Sequence, residues 1–143
     1  MISISSCSAS TEYSADYGCE NAYDGDVENE WATSEEGIGS WIELNFDGDY
    51  RVTKMEFTNR LAEVDQTSQI LLTFSDGETQ TVDLERGVTI AELVETNSVN
   101  SVRVTVTDVY NSYNNGAREI KFYGISSDAG NNNIFQSIFH KLL

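Results

Sequence analysis

The chain has no proline, one histidine, two cysteines and eight basic residues against 24 acidic ones in 143 positions. Each shortage closes off a class of structure or chemistry. Without proline, tight turns fall to glycine, asparagine and aspartate, which tolerate turn conformations for their own reasons. The single histidine, His140, sits near the C-terminus. Residues 1–125 therefore hold no imidazole to act as base for a serine or cysteine nucleophile. Carboxylate pairs abound in so acidic a chain, so finding two is no argument for a glycosidase. The chain reads as non-catalytic. A formal charge of −16 offers no basic stripe for a phosphate backbone or an anionic lipid surface. No nucleic acid and no membrane insertion are expected, since no apolar run reaches bilayer length. The opening Met1-Ile2-Ser3-Ile4-Ser5 lacks the basic region and apolar stretch of a signal peptide, and there is no Asn-x-Ser/Thr site.

What is present reads as one globular domain: 39% hydrophobic residues in a length that supports a sizeable core. Ile42, Leu44 and Phe46 alternate with Glu43 and Asn45, as a half-buried strand requires. Val52, Met55 and Phe57 continue with an irregular spacing. Ile70 to Phe74 runs into Ser75-Asp76-Gly77-Glu78, a turn in which glycine supplies positive φ, and then into Thr79 to Leu84. Val102, Val104 and Val106 alternate again, and Ile120 to Tyr123 closes the series. Short antiparallel strands at this spacing indicate a sandwich or barrel.

The stretch Asn21-Ala22-Tyr23-Asp24-Gly25-Asp26-Val27-Glu28-Asn29-Glu30-Trp31 sets carboxylates around a glycine. Calcium takes six to eight oxygens from carboxylates, amides and carbonyls. Asp24, Asp26 and Asn29, with the carbonyl of Ala22 or Tyr23, supply that chemistry. An EF-hand is excluded, because Asn29 stands where that loop needs glycine and no amphipathic helix precedes it. Cys7 and Cys19 would close a short loop worth about 3 kcal/mol if bridged. As reduced thiols they would pack like small hydrophobes, and the sequence leaves both open.

The ordered set Asn-Ala-Tyr-Asp-Gly-Asp, Trp31, Trp41-Ile42-Glu43-Leu44-Asn45-Phe46, Asn59-Arg60, Phe74-Ser75-Asp76-Gly77, Ser101-Val102-Arg103-Val104 and Ala117 to Gly124 resembles the coagulation factor V/VIII type C, or discoidin, superfamily. That galactose-binding-like group includes the family 32 carbohydrate-binding modules. The resemblance spans roughly residues 1–125. It implies an all-β, eight-stranded antiparallel jelly-roll sandwich with a structural calcium. The implied ligands are Asp24, Asp26 and Glu119, helped by carbonyls of Ala22, Tyr23 and Arg118, with Asn29 where the family usually has threonine. It also implies that Trp31 and Trp41 pack internally. A glycan or other surface ligand would bind at one end of the sandwich. Arg60 matches the family's loop arginine and is expected to be exposed there, beside Asn59 and the amide-rich Tyr113-Asn114-Asn115. The alternative reading is that Arg60 pairs with Glu63 or Asp65 and that the asparagines make turns. Tyr13 and Tyr17, in polar segments without alternation, are further surface candidates. Such modules imply an extracellular or particle-surface setting.

The C-terminus breaks the pattern. After a polar linker over 126–133, apolar residues at 134, 135, 138, 139, 142 and 143 fall on one helical stripe, with Asn133 as N-cap. A helix so short needs something to pack on. It predicts an attachment point, giving a second functional reading as a structural subunit of a homo- or hetero-assembly through residues 134–143.

Overall fold

The computed structural model describes residues 1–111 and 113–127. Among these the chain forms nine strands: β1 (Ile4–Ala9), β2 (Trp31–Ala32), β3 (Trp41–Thr58), β4 (Thr67–Phe74), β5 (Thr79–Asp83), β6 (Val88–Glu92), β7 (Val99–Val109), β8 (Gly116–Ala117) and β9 (Glu119–Ser126). All their ladders are antiparallel. The sequence separates Ile42–Phe46 from Val52–Phe57, and the structure joins them in one 18-residue strand. The first half of β3 pairs with β1 and β7, the second half with β6 and β9. Register shifts between Asn45 and Tyr50 and between Val52 and Lys54 let the strand bend from one layer into the other. The irregular spacing of Val52, Met55 and Phe57 is that bulge seen in sequence.

Alternation then builds the core. Ile42 and Leu44 of β3, Ile70 and Leu72 of β4, Val102 of β7, and Ile120 and Phe122 of β9 are all 0% exposed. Each such side chain contributes about 1.5–3 kcal/mol on burial. Phe46 and Phe122 meet at 6.0 Å between ring centroids, bringing the two halves of the β3 ladder into one core. The β4–β5 hairpin turns at Gly77 with φ of 89°, and the Glu78 N–H donates to Asp76 Oδ1 at 3.0 Å, an Asx turn. β2 and β8 form a separate two-stranded ribbon. Gly116 is required there, since a Cβ would lie 1.9 Å from the Trp31 carbonyl oxygen.

Trp31 is 1% exposed and packs internally as expected. Trp41 does not: it is half-buried on the face opposite Ile42, with the Arg103 guanidinium 3.8 Å from its ring. Cys7 and Cys19 form a disulfide, tying β1 to the turn at Cys19–Tyr23. β9 extends through Ser126, and Ser127 Oγ lies 2.6 Å from Ser98 Oγ. Most of the predicted linker and the whole helix at 134–143 lie outside the described residues.

Candidate functional site

Two neighbouring arrangements are built from the segment between β1 and β2, which contains no strand. The first is the Asp-Gly-Asp loop. Gly25, with φ of 78°, donates its N–H to Glu119 Oε1 at 2.8 Å, bringing the loop onto the start of β9. Asp24 Oδ1 accepts the Asp26 N–H at 2.9 Å, and Asp26 Oδ1 accepts the Glu28 N–H at 2.9 Å. Asn29 Nδ2 donates to Asp24 Oδ2 at 2.9 Å. Ala22 and Tyr23 precede this loop and Arg118 precedes Glu119, so their carbonyls belong to the two segments that the Gly25–Glu119 bond joins.

Glu119 is 3% exposed. Burial, and a hydrogen bond and like charge shared with Asp24, push its carboxyl up to about 7, against the Gly25 N–H and Lys121, which favour the anion. The buried Glu119 carboxyl thus meets the exposed Asp24 carboxyl at the edge of the core, a position that a divalent cation fits by its charge and oxygen preference. Asp26 does not complete a closed triad: the only described His, Cys, Asp and Glu set whose ligand atoms all lie within 4.8 Å is Cys7, Cys19 and Glu20, whose sulfurs are already bonded to each other. Asn29 presents its amide nitrogen to the carboxylates, so serving as an oxygen ligand would need the amide turned over.

The second arrangement centres on Arg60, and it corrects the expectation of an exposed loop arginine. Arg60 is 8% exposed. Its Nε donates to Glu30 Oε2 at 2.8 Å, and Nη1 donates to Asp65 Oδ2 at 3.0 Å and to the Asn114 carbonyl at 2.7 Å. Glu30 Oε1 accepts the Leu61 N–H at 2.9 Å, and Asp65 Oδ1 accepts the Asn114 N–H at 2.9 Å. The Tyr17 ring lies 5.5 Å from the guanidinium, and Tyr13 meets Tyr17 edge to face with centroids 5.5 Å apart. Tyr13, Tyr17, Arg60, Asp65 and Asn114 line an open cleft of about 200 Å³. Beyond Tyr17 a second groove of about 400 Å³ is lined by Asp16, Glu28, Asn29, Glu30, Leu61 and Ala62.

Of the expected ligand residues, Arg60 and Asn114 reach this cleft and Asn59 and Asn115 do not. Asn59 is 0% exposed, its amide donating to the carbonyls of Thr67 and Glu85 and its Oδ1 accepting the Thr67 N–H. An amide among strand ends is recruited by orphaned backbone groups before any ligand can use it. Asn115 is also 0% exposed, held by Thr67 Oγ1. Tyr113 is 65% exposed but does not line the cleft. The alternative pairing of Arg60 with Asp65 is the one observed, whereas Glu30 was not anticipated. The signal for Glu30 was only the need of a buried arginine for a second carboxylate.

The chain matches a family described as Domain of unknown function (DUF7402) over residues 2–123. It belongs to that family. Solved structures share the fold of this DUF7402 domain. Chitosan-binding module 2 of a Paenibacillus sp. IK-5 chitosanase/glucanase, in complex with chitotriose, is 17% identical with a TM-score of 0.72, over 83% of this chain and 95% of that one. An F5/8 type C domain from Bacteroides fragilis is 18% identical with a TM-score of 0.72, covering 85% and 91%. The family 32 module of Clostridium perfringens NanJ, in complex with galactose, is 14% identical with a TM-score of 0.68, covering 82% and 91%. No curated protein matches. The expected discoidin-like, galactose-binding-like sandwich is therefore the fold of this chain, with strand β3 shared between the layers.

Proposed function

We propose that this DUF7402 domain is a non-catalytic glycan-recognition module that binds sugar in the Tyr13–Tyr17–Arg60 cleft and is stabilised by calcium at the Asp-Gly-Asp loop. The cleft carries the reading. Tyrosine rings offer apolar faces to the C–H face of a sugar, and Arg60 is already immobilised by Glu30 and Asp65, so little ordering entropy opposes binding. The fold relatives that hold chitotriose and galactose support it. Taken together, the cleft and the adjoining groove set Asp16, Glu28, Glu30 and Asp65 against the single Arg60 guanidinium, which favours an amine-bearing glycan over an acidic one. When bound, calcium would join the buried Glu119 to Asp24 and Asp26, with Asn29 and the carbonyls of Ala22, Tyr23 and Arg118 as further oxygens, adding a folded-state cross-link. The Cys7–Cys19 disulfide suits an oxidising, extracellular or surface setting.

Calorimetric titration with chitotriose and with galactose, in calcium and in EDTA, tests the proposal. One sugar should bind, and Tyr17→Ala should weaken it about tenfold without lowering the melting midpoint. Absence of binding by either sugar in calcium, or full affinity in Tyr17→Ala, overturns the cleft assignment.

A further inference from the structure

We propose that the Cys7–Cys19 disulfide is a redox-sensitive clamp on the ligand cleft: opening it loosens the segment from Thr11 to Glu30, and with it the cleft, while the sandwich stays folded. The observation is topological. This segment contributes Tyr13 and Tyr17 to the cleft and Glu30 to the Arg60 ion pair. It contains only short 3₁₀ turns, at Ala15–Tyr17 and Cys19–Tyr23, neither with a side-chain cap. Its first half is tied to the rest of the domain by separate hydrogen bonds and not by a ladder, such as the Tyr13 N–H to the Ala32 carbonyl at 2.7 Å and the Trp31 Nε1–H to the Thr11 carbonyl at 3.3 Å. Its second half is anchored by buried Cys19 and Ala22, by the Gly25 N–H on Glu119 and by the Glu30–Arg60 pair. Apart from the backbone at its two ends, the disulfide is its one covalent link to a strand, two residues from Tyr17. A segment without ladders opens more readily than the sheet, and a cross-link within it limits that opening.

The clamp can be reached and its threshold is set locally. Cys19 is 3% exposed, whereas Cys7 is half-buried. A Glu20 carboxylate oxygen lies within 4.8 Å of both sulfurs, where its charge repels an incoming thiolate. Reduction needs an external dithiol: its thiolate attacks one sulfur, the S–S bond breaks, the reagent leaves as its own disulfide, and both cysteines end as thiols. Cys7 stands opposite Leu44 in the β1–β3 ladder, but neither cysteine belongs to β4, β7 or β9, so those strands should keep their ladders.

The ligand consequence rests on the glycan reading, but the clamp itself is tested without it. Hydrogen exchange is measured on the oxidised protein, on the protein reduced with dithiothreitol, and on a Cys7→Ser/Cys19→Ser variant. Amides of 11–30 should exchange about tenfold or more faster in the last two, with β4 and β7 unchanged. Affinity for whichever of chitotriose or galactose the oxidised protein binds should fall about tenfold in parallel, and Glu20→Gln should be reduced faster while binding normally when oxidised. Unchanged exchange over 11–30 overturns the clamp. So does faster exchange there with full sugar affinity, since the cleft would then not depend on the segment. Faster exchange with global loss of β4 and β7 protection also overturns it, by making the disulfide a staple of the whole fold. If the oxidised protein binds neither sugar, the glycan reading fails and exchange alone decides the clamp.

Discussion

Arg60 shows how a residue's environment changes its role. Its guanidinium lies between two carboxylates whose side chains are 10% and 9% exposed, and it also holds the Asn114 carbonyl. Removing the cation would leave both acids buried without a partner. Arg60→Ala is therefore expected to destabilise the domain by about 3–5 kcal/mol in urea or guanidinium titration, and to remove ligand binding as a consequence. A stability loss well below 1 kcal/mol would mean that the pair is solvated and the cleft open. Asn59 belongs to the same scale. Its amide bridges the carbonyls of Thr67 and Glu85, so it is a strut beneath the cleft and not a contact within it.

At the scale of elements, two junctions hold the site end of the sandwich. The β2–β8 ribbon depends on Gly116, where a Cβ would overlap the Trp31 carbonyl at 1.9 Å. Gly116→Ala should cost more than about 3 kcal/mol, because backbone on both sides cannot yield. Gly77→Ala, in open space but at φ of 89°, should cost only about 1–2 kcal/mol by the same denaturation measurement. The second junction is the Asp-Gly-Asp loop against β9. Calcium at a hundredfold excess over its dissociation constant should add about 2.7 kcal/mol, seen as a melting shift of several degrees that EDTA reverses and Asp24→Asn abolishes. In EDTA the raised Glu119 carboxyl gives a pH signature. The folded form holds its proton up to about 7, whereas the unfolded carboxyl releases it near 4.5. The folded state thus binds more protons across that window, and stability falls as pH rises through it. Glu119→Gln should flatten this dependence in thermal melts between pH 5 and 8.

For the whole molecule, a formal charge of −16 on one domain acts against compactness through self-repulsion. Raising sodium chloride from low concentration to about 0.5 M should increase the melting midpoint, since screening shortens the reach of each charge to a few ångströms. The same salt should weaken an amine-bearing glycan more than a neutral one. A midpoint that falls with salt would show that attractive pairs such as Arg103–Glu43 and Lys121–Glu56 outweigh the repulsion.

The sequence by itself determined the strands with clear alternation, though not β2, β6 or β8, and the chemistry available to the loops. Ile42, Leu44 and Phe46, or Val102, Val104 and Val106, can bury one face only as extended chain, and Ser75-Asp76-Gly77-Glu78 can only turn. These are local relations with a period of two, legible without knowing any partner. It also showed that Asp24, Gly25 and Asp26 form a loop of hard oxygens. Tertiary structure alone decided which distant groups meet. That β3 runs unbroken across both layers follows from its having different neighbours on each half. That Cys7 and Cys19 are bonded follows from where β1 and the Cys19–Tyr23 turn pack. The Arg60–Asp65 pair lies within one connection and was within reach of the sequence, but Glu30 arrives from thirty positions away, and no local pattern encodes that convergence.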